Sequence, residues 1–350
     1  MKNILLLLSV ILLIPSMIVA QNYDSGFEDY FVIERVIELE QNEESLLTSP
    51  MYSIDENGEI LAADVRLNEV KMFDSDGFFI GSFGREGRGP GEFMNLISAI
   101  RLDDGHILTA DVSGRLTLFS GDGEEVLKSY NTPVIPLMGI EKIENEKVLI
   151  YGRGSTSSQA NLIHVLDMNT KEIVGEFLEF NFSEHSQILR MLTNISVASV
   201  SDNYIVASIT PFLTFYFHNT EDHTLEEEMD YDLNHFREIS NEEISENQLS
   251  LNDITRFSWI ERVEVVGENK ILIQYVRWLT MPLPGSDEWR ETEYSLALIN
   301  TDGELLFDIN NSPKLIDYNR EKDKFYFIDI LRESEEYDVS NIKSTKLKTR

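Results

Sequence analysis

DENGEILAADVRLNEVKMFDSDGFFIGSFGREGRGPGEF, residues 55–93, is the stretch whose reading decides the fold. Asp55-Glu56-Asn57-Gly58 is a turn, and residues 59–64 form a short apolar strand that ends on Asp64. Val70-Lys71-Met72-Phe73 alternates at period two, as a second strand does, and Asp74-Ser75-Asp76-Gly77 is a hairpin turn of the Asp-Gly type. Residues 78–83 make a third strand, and a glycine-rich run leads out of it. Together these are most of one β unit.

The unit recurs. LDDGHILTAD, residues 102–111, repeats DENGEILAAD, residues 55–64, so Asp64 and Asp111 stand 47 positions apart. Phe73 and Phe119 are 46 apart, and Asp76-Gly77 returns at the same step as Asp122-Gly123. The strand that opens the unit reappears around residues 148–150, 204–207, 271–273 and 325–328, and the turn as Asn169-Thr170 and Asp302-Gly303. Six units fit, the later ones carrying insertions that blur their boundaries beyond about residue 130. A period in the forties with several short strands per unit is that of a propeller blade, which buries both faces only by packing on neighbours around a ring. Solenoids of helix pairs share the period, but alternation at two and Asp-Gly hairpins argue for strands.

These residues carry a resemblance. Residues 60–77 resemble the NHL-type repeat, with an apolar pair, Ala63-Asp64, a short turn holding Asn68, a strand ending on Phe73 and a Gly turn. The second copy keeps Asp111 and Phe119 but offers Gly114 or Arg115 where Asn is expected. GSFGREGRGPGEF, residues 81–93, is similar to a linker of secreted six-bladed propellers from Bacteroidetes-like bacteria. The resemblance implies an all-β, six-bladed β-propeller. The isolated strand at residues 31–39 and the three strands at residues 315–347 complement one another, which predicts a ring closed by the N-terminal strand joining the C-terminal blade.

Residues 1–20 read as a signal peptide: Lys2, an apolar core over residues 4–14, Pro15, and small-residue spacing before a cut after Ala20. Residues 21–350 are then the propeller domain, expected in the periplasm or outside the cell, with no membrane insertion once the signal is cut. The chain has no cysteine, which excludes disulfides, thiol catalysis and Cys-based metal sites. Its net charge is −33, or −34 without Lys2, which opposes nucleic acid as a partner. Self-repulsion of this size is relieved by screening, whose length is about 10 Å at 0.1 M salt. The melting temperature is therefore expected to rise with NaCl and level off; a flat or falling series of melts would contradict this.

Candidate chemistry is sparse. The glycines of residues 84–91 lack the Gly-Lys-Ser/Thr of a phosphate loop and serve turns with positive φ. Asp64 and Asp111 are read as turn residues that accept backbone N–H groups. Some relatives of the propeller class are calcium-dependent lactonases or lyases with oxygen ligands converging on the central channel; here the candidate inner strands offer Glu141. The six histidines show no zinc spacing, and no Gly-x-Ser-x-Gly elbow exists. Residues 232–258 read as a helical connector with a capping box at residues 240–243. Residues 275–294 replace a tight turn with a Pro/Gly excursion bearing Arg277, Trp278, Trp289 and Arg290. Trp and Arg dominate binding hot spots, so these four are the candidate ligand- or partner-binding residues. The function expected is a binding or scaffold module for a protein or small-molecule ligand, with no cofactor. The alternative is a Ca2+-assisted hydrolase or lyase on the channel; a transport-linked sensor subunit rests on fold analogy alone.

Overall fold

The computed structural model describes residues 26–143, 146–152, 159–181, 194–200, 204–210, 212–239, 251–280, 292–329 and 341–348. The expected signal at 1–20, the capping box at 240–243, and Trp289 and Arg290 lie outside them. Among the described residues the chain forms six four-stranded antiparallel sheets, the blades of a propeller. Blades 1–5 each run in chain order from the inner strand outwards. The inner strands are Pro50–Ile54, Leu96–Arg101, Leu137–Ile143, Asn194–Val200 and Ser258–Val266. The sixth sheet starts on Lys314–Asn319, continues through Lys324–Ile328 and Asn341–Leu347, and carries Phe31–Glu38 as its outer strand. That strand pairs from Phe31 with Leu347 to Glu38 with Asn341.

The strand read from sequence as opening the repeat is the second of its blade. Ile60–Asp64 and Ile107–Asp111 are buried at every position, because both faces of a blade lie against neighbouring blades. This continuous burial makes the second strand the most legible. Outer strands such as Leu225–Asp230 are exposed and acidic, a composition that discourages edge-to-edge pairing. The connector after blade 4 contains a 3-10 helix, Leu251–Arg256.

The repeated aspartates hold the turns. Asp64 accepts from the backbone N–H of Thr48, Ser49, Arg66 and Leu67 and from the Thr48 hydroxyl. Asp111 accepts from Met94, Asn95 and Ser113. Asn68 sits at φ +55° and its side-chain oxygen accepts from Leu96 N–H of blade 2 at 2.9 Å. In the second copy Gly114, at φ +84°, takes the left-handed place, which only Asn, Asp or Gly fills cheaply. Within the glycine-rich run the Glu92 carboxylate accepts from Gly89 N–H at 2.8 Å and pairs with Arg85, so the loop's own side chain occupies it.

Blades 3 and 4 meet over histidines. The Phe177 ring lies 4.6 Å from His218 and stacks on His223 at 5.4 Å. Burial lowers both imidazole pKa values, Lys147 adding to the effect on His223. The folded state thus holds both rings neutral, a contribution complete above the unfolded histidine pKa near about 6.5 and lost as pH falls below it. Wild type and His218→Phe melts between pH 8 and 5 check this. The difference between them is expected to shrink or reverse towards pH 5; a pH-independent difference would exclude the interface as the source.

Candidate functional site

The inner strands of all six blades line a central channel with a cavity of about 330 Å3. In four of them a register shift falls just before a wall residue: between Leu96 and Ser98, Leu137 and Gly139, Ile260 and Arg262, and Leu315 and Asp317. Such bulges turn a strand locally and re-aim its side chains. Here they bring Ser98, Gly139, Arg262 and Asp317 into one wall.

Arg262 of blade 5 is the centre of the polar cluster. Its Nε donates to Glu264 Oε1 at 2.5 Å and its Nη2 to Asp317 Oδ1 of blade 6 at 2.9 Å. The three side chains keep 26, 15 and 14% exposure, so they are enclosed by the ring yet reachable from the channel. The other Asp317 oxygen accepts from Ile54 N–H of blade 1 at 2.5 Å. One carboxylate therefore joins blades 5, 6 and 1. Glu264 and Asp317 both have raised pKa values, burial being the largest cause and Arg262 opposing it.

Glu141 of blade 3 faces the same cavity with no hydrogen-bond or ion-pair partner among the described residues. Burial pushes its carboxyl up to about 8; Arg262 counteracts this, while Glu264 and Asp317 add to it. Tyr151 stands beside it and pairs with Gly139 across the strands. A β-carbon at position 139 would lie 2.2 Å from the Tyr151 hydroxyl, so only glycine lets the phenol lie over the inner strand. At neutral pH the wall thus combines a guanidinium bonded to two carboxyl groups, a carboxylic acid and a phenol. Among the described residues no three His, Asp or Glu side chains are placed to hold a metal ion.

Of the residues singled out in the sequence, Glu141 is in this wall. Arg262, Glu264, Asp317 and Tyr151 were missed. Arg262 and Glu264 alternate with Val263 and Val265 in the inner strand of blade 5, and that pattern was the available signal. The blade 5 excursion does rise on a long hairpin, with Arg277 opposite Glu293 and Trp278 opposite Thr292. Its strands are nine residues each, against five in blade 1, an excess of roughly 14 Å. Arg277 pairs with Glu293 at 3.0 Å, and Trp278 stacks on Trp259 at 5.5 Å in a cluster with Phe257 and Val276.

Solved structures share the fold. A Bacteroides fragilis protein inferred to be exported superposes with a TM-score of 0.62 at 14% identity, over 91% of this chain and 96% of that one. A member of the DUF4221 family from Bacteroides vulgatus gives 0.62 at 13%, over 91% and 97%. The WD40 domain of Neurospora crassa Pan2 gives 0.52 at 8%, over 92% and 96%. No curated protein matches the sequence, and among the described residues no helix is long and apolar enough to cross a membrane. The family model for DUF5128, a 6-bladed beta-propeller, matches residues 14–277, and the chain belongs to that family.

Proposed function

We propose that the protein is an exported binding module whose ligand or partner enters the central channel. One observation carries the reading: a cavity walled by all six inner strands holds an unpartnered carboxyl, Glu141, next to a charged cluster. Concave sites with few convergent polar groups are the usual form of a ligand site. Export to the periplasm or outside is supported by the signal-like residues 1–20 and by the fold shared with a Bacteroides protein inferred to be exported. The NHL-type spacing of Asp64, Asn68 and Phe73 belongs to the same reading, as a blade type that frames such a channel.

The test is a thermal-shift screen of amines, carboxylates, sugars and CaCl2 against the wild type and Ser98→Trp, which fills the channel. A compound that raises Tm in the wild type and not in the variant is the expected result. A screen in which no compound separates the two proteins sinks the channel reading. If CaCl2 alone separates them, the rival reading of a Ca2+-assisted hydrolase or lyase takes its place.

The blade 5 excursion is the second contact region of this proposal, with Arg277 and Trp278 at its base and Trp289 and Arg290, outside the described residues, further along the same stretch of sequence. Trp278→Ala is expected to destabilise by at least about 1 kcal/mol, the scale of one aromatic pair. Trp289→Ala is expected to leave melting unchanged and weaken binding of whatever ligand the screen yields. Binding retained by both variants would remove the excursion from the site.

A further inference from the structure

We infer that the channel takes a small organic monocation, an ammonium or guanidinium group on an aliphatic stem. This rests on the channel-binding reading and specifies its ligand class. The charge count of the wall is the first support. In the wall Glu141 and Asp317 share one guanidinium, that of Arg262, which is already bonded to Asp317 and to Glu264 outside the lining. Glu261, also in the wall, is matched separately by Lys314 at 3.2 Å. Arg320 acts on Glu264 from the exposed end of the blade 6 inner strand. Glu141 is left as the carboxyl without a counter-charge.

The second support is shape. The remaining wall mixes aliphatic side chains, Ile97, Met138, Ile195 and Val263 among them, with Ser53, Ser98 and Ser196. An alkyl chain fits such a surface, and its charged head would meet Glu141. An anion would instead face three carboxyl groups and an arginine with no unshared charge, and a neutral polyol would leave the imbalance untouched.

Binding would move a proton. With the carboxyl neutral up to about 8, an incoming ammonium displaces it: the neutral acid and the cation become an ion pair, and one proton passes to solvent. Affinity for the cation then strengthens about tenfold per pH unit up to that value and levels off above it.

The cation could come from a free amine or from a lysine side chain of a partner, and calorimetry on the full chain separates them. The probes are n-butylammonium chloride, a blocked tripeptide with a central lysine, and CaCl2. In two buffers of different ionisation enthalpy at pH 7, binding should release roughly 0.9 proton per cation. Glu141→Gln should abolish the release and weaken binding tenfold or more at pH 9, with the two proteins converging by pH 6. That convergence distinguishes a charge contact from lost packing, and the melting temperature of Glu141→Gln, unchanged or raised, shows that it folds. A tighter tripeptide points to a partner's lysine; equal or tighter butylammonium points to a free amine. Binding of neither cation, or identical proton release by Glu141→Gln, overturns the inference. A sugar or carboxylate blocked by Ser98→Trp while amines fail would overturn it and leave the channel reading standing.

Discussion

Removing residues 26–38 is expected to destabilise the ring by more than the loss of any one side chain. Phe31 is the anchor: its ring packs on Phe27 at 4.7 Å, Phe327 at 5.3 Å, Phe325 at 5.4 Å and Phe307 at 6.0 Å, reaching blades 5 and 6 together. Phe31→Ala alone should cost about 3–5 kcal/mol, the range for truncating a buried phenylalanine. The deletion also strips the backbone pairing with Asn341–Leu347 and the ion pairs of Glu34 with Lys324 and Lys346. If this pairing closes the ring, the most distant parts of the chain are uncoupled at once and cooperativity drops. Urea melts measure both effects: the midpoint should fall, and the slope should fall with it as less surface is exposed in the main transition. A truncated protein that melts with the wild-type midpoint and slope would show that the outer strand is dispensable.

Arg262→Met should be the most damaging single change in the channel. It leaves Glu264 and Asp317 enclosed without their cation, and Glu141 beside them loses the charge that favours its ionisation. Breaking such a pair from one side costs about 3–5 kcal/mol. The sign of the pH dependence follows from the carboxyls. Their raised pKa values mean the folded state binds protons more readily than the unfolded one. Stability held by protonation is complete below the unfolded carboxyl values near about 4 and is lost as pH rises through the folded ones. Without Arg262 that window extends upward, so the defect should be large at pH 8–9 and small at pH 5. The triple change Arg262→Met, Glu264→Gln, Asp317→Asn removes charge from all three positions and keeps an acceptor for Ile54 N–H, so it should recover most of the loss. A pH-independent defect, or no recovery in the triple variant, would mean that packing and not charge balance governs the cluster.

The blade architecture was legible in the sequence because it depends on local rules. Second strands such as Ile60–Asp64 are apolar up to their closing aspartate since both faces are buried, and hairpins need Asp-Gly or Asn in positive-φ turns. Asp64 and Asp111 recur because blades 1 and 2 present the same backbone N–H groups to them. Glu141 could be suspected because a lone carboxylate stood in an inner strand. The rest of the channel depended on the tertiary structure. Arg262, Glu264 and Asp317 come from two blades, with Glu141 from a third, and no spacing in the chain relates residue 141 to 262 or 317. Register shifts that turn Ser98, Gly139, Arg262 and Asp317 into the wall are properties of paired strands, which one strand's composition does not encode. The packing of Trp278 was likewise hidden from the sequence, because its partner, Trp259, lies 19 positions away on the neighbouring strand, in contact only once the sheet has formed. Period-two burial and turn chemistry act between near neighbours in sequence, whereas the channel's charge balance is set by the ring that brings distant blades to one axis.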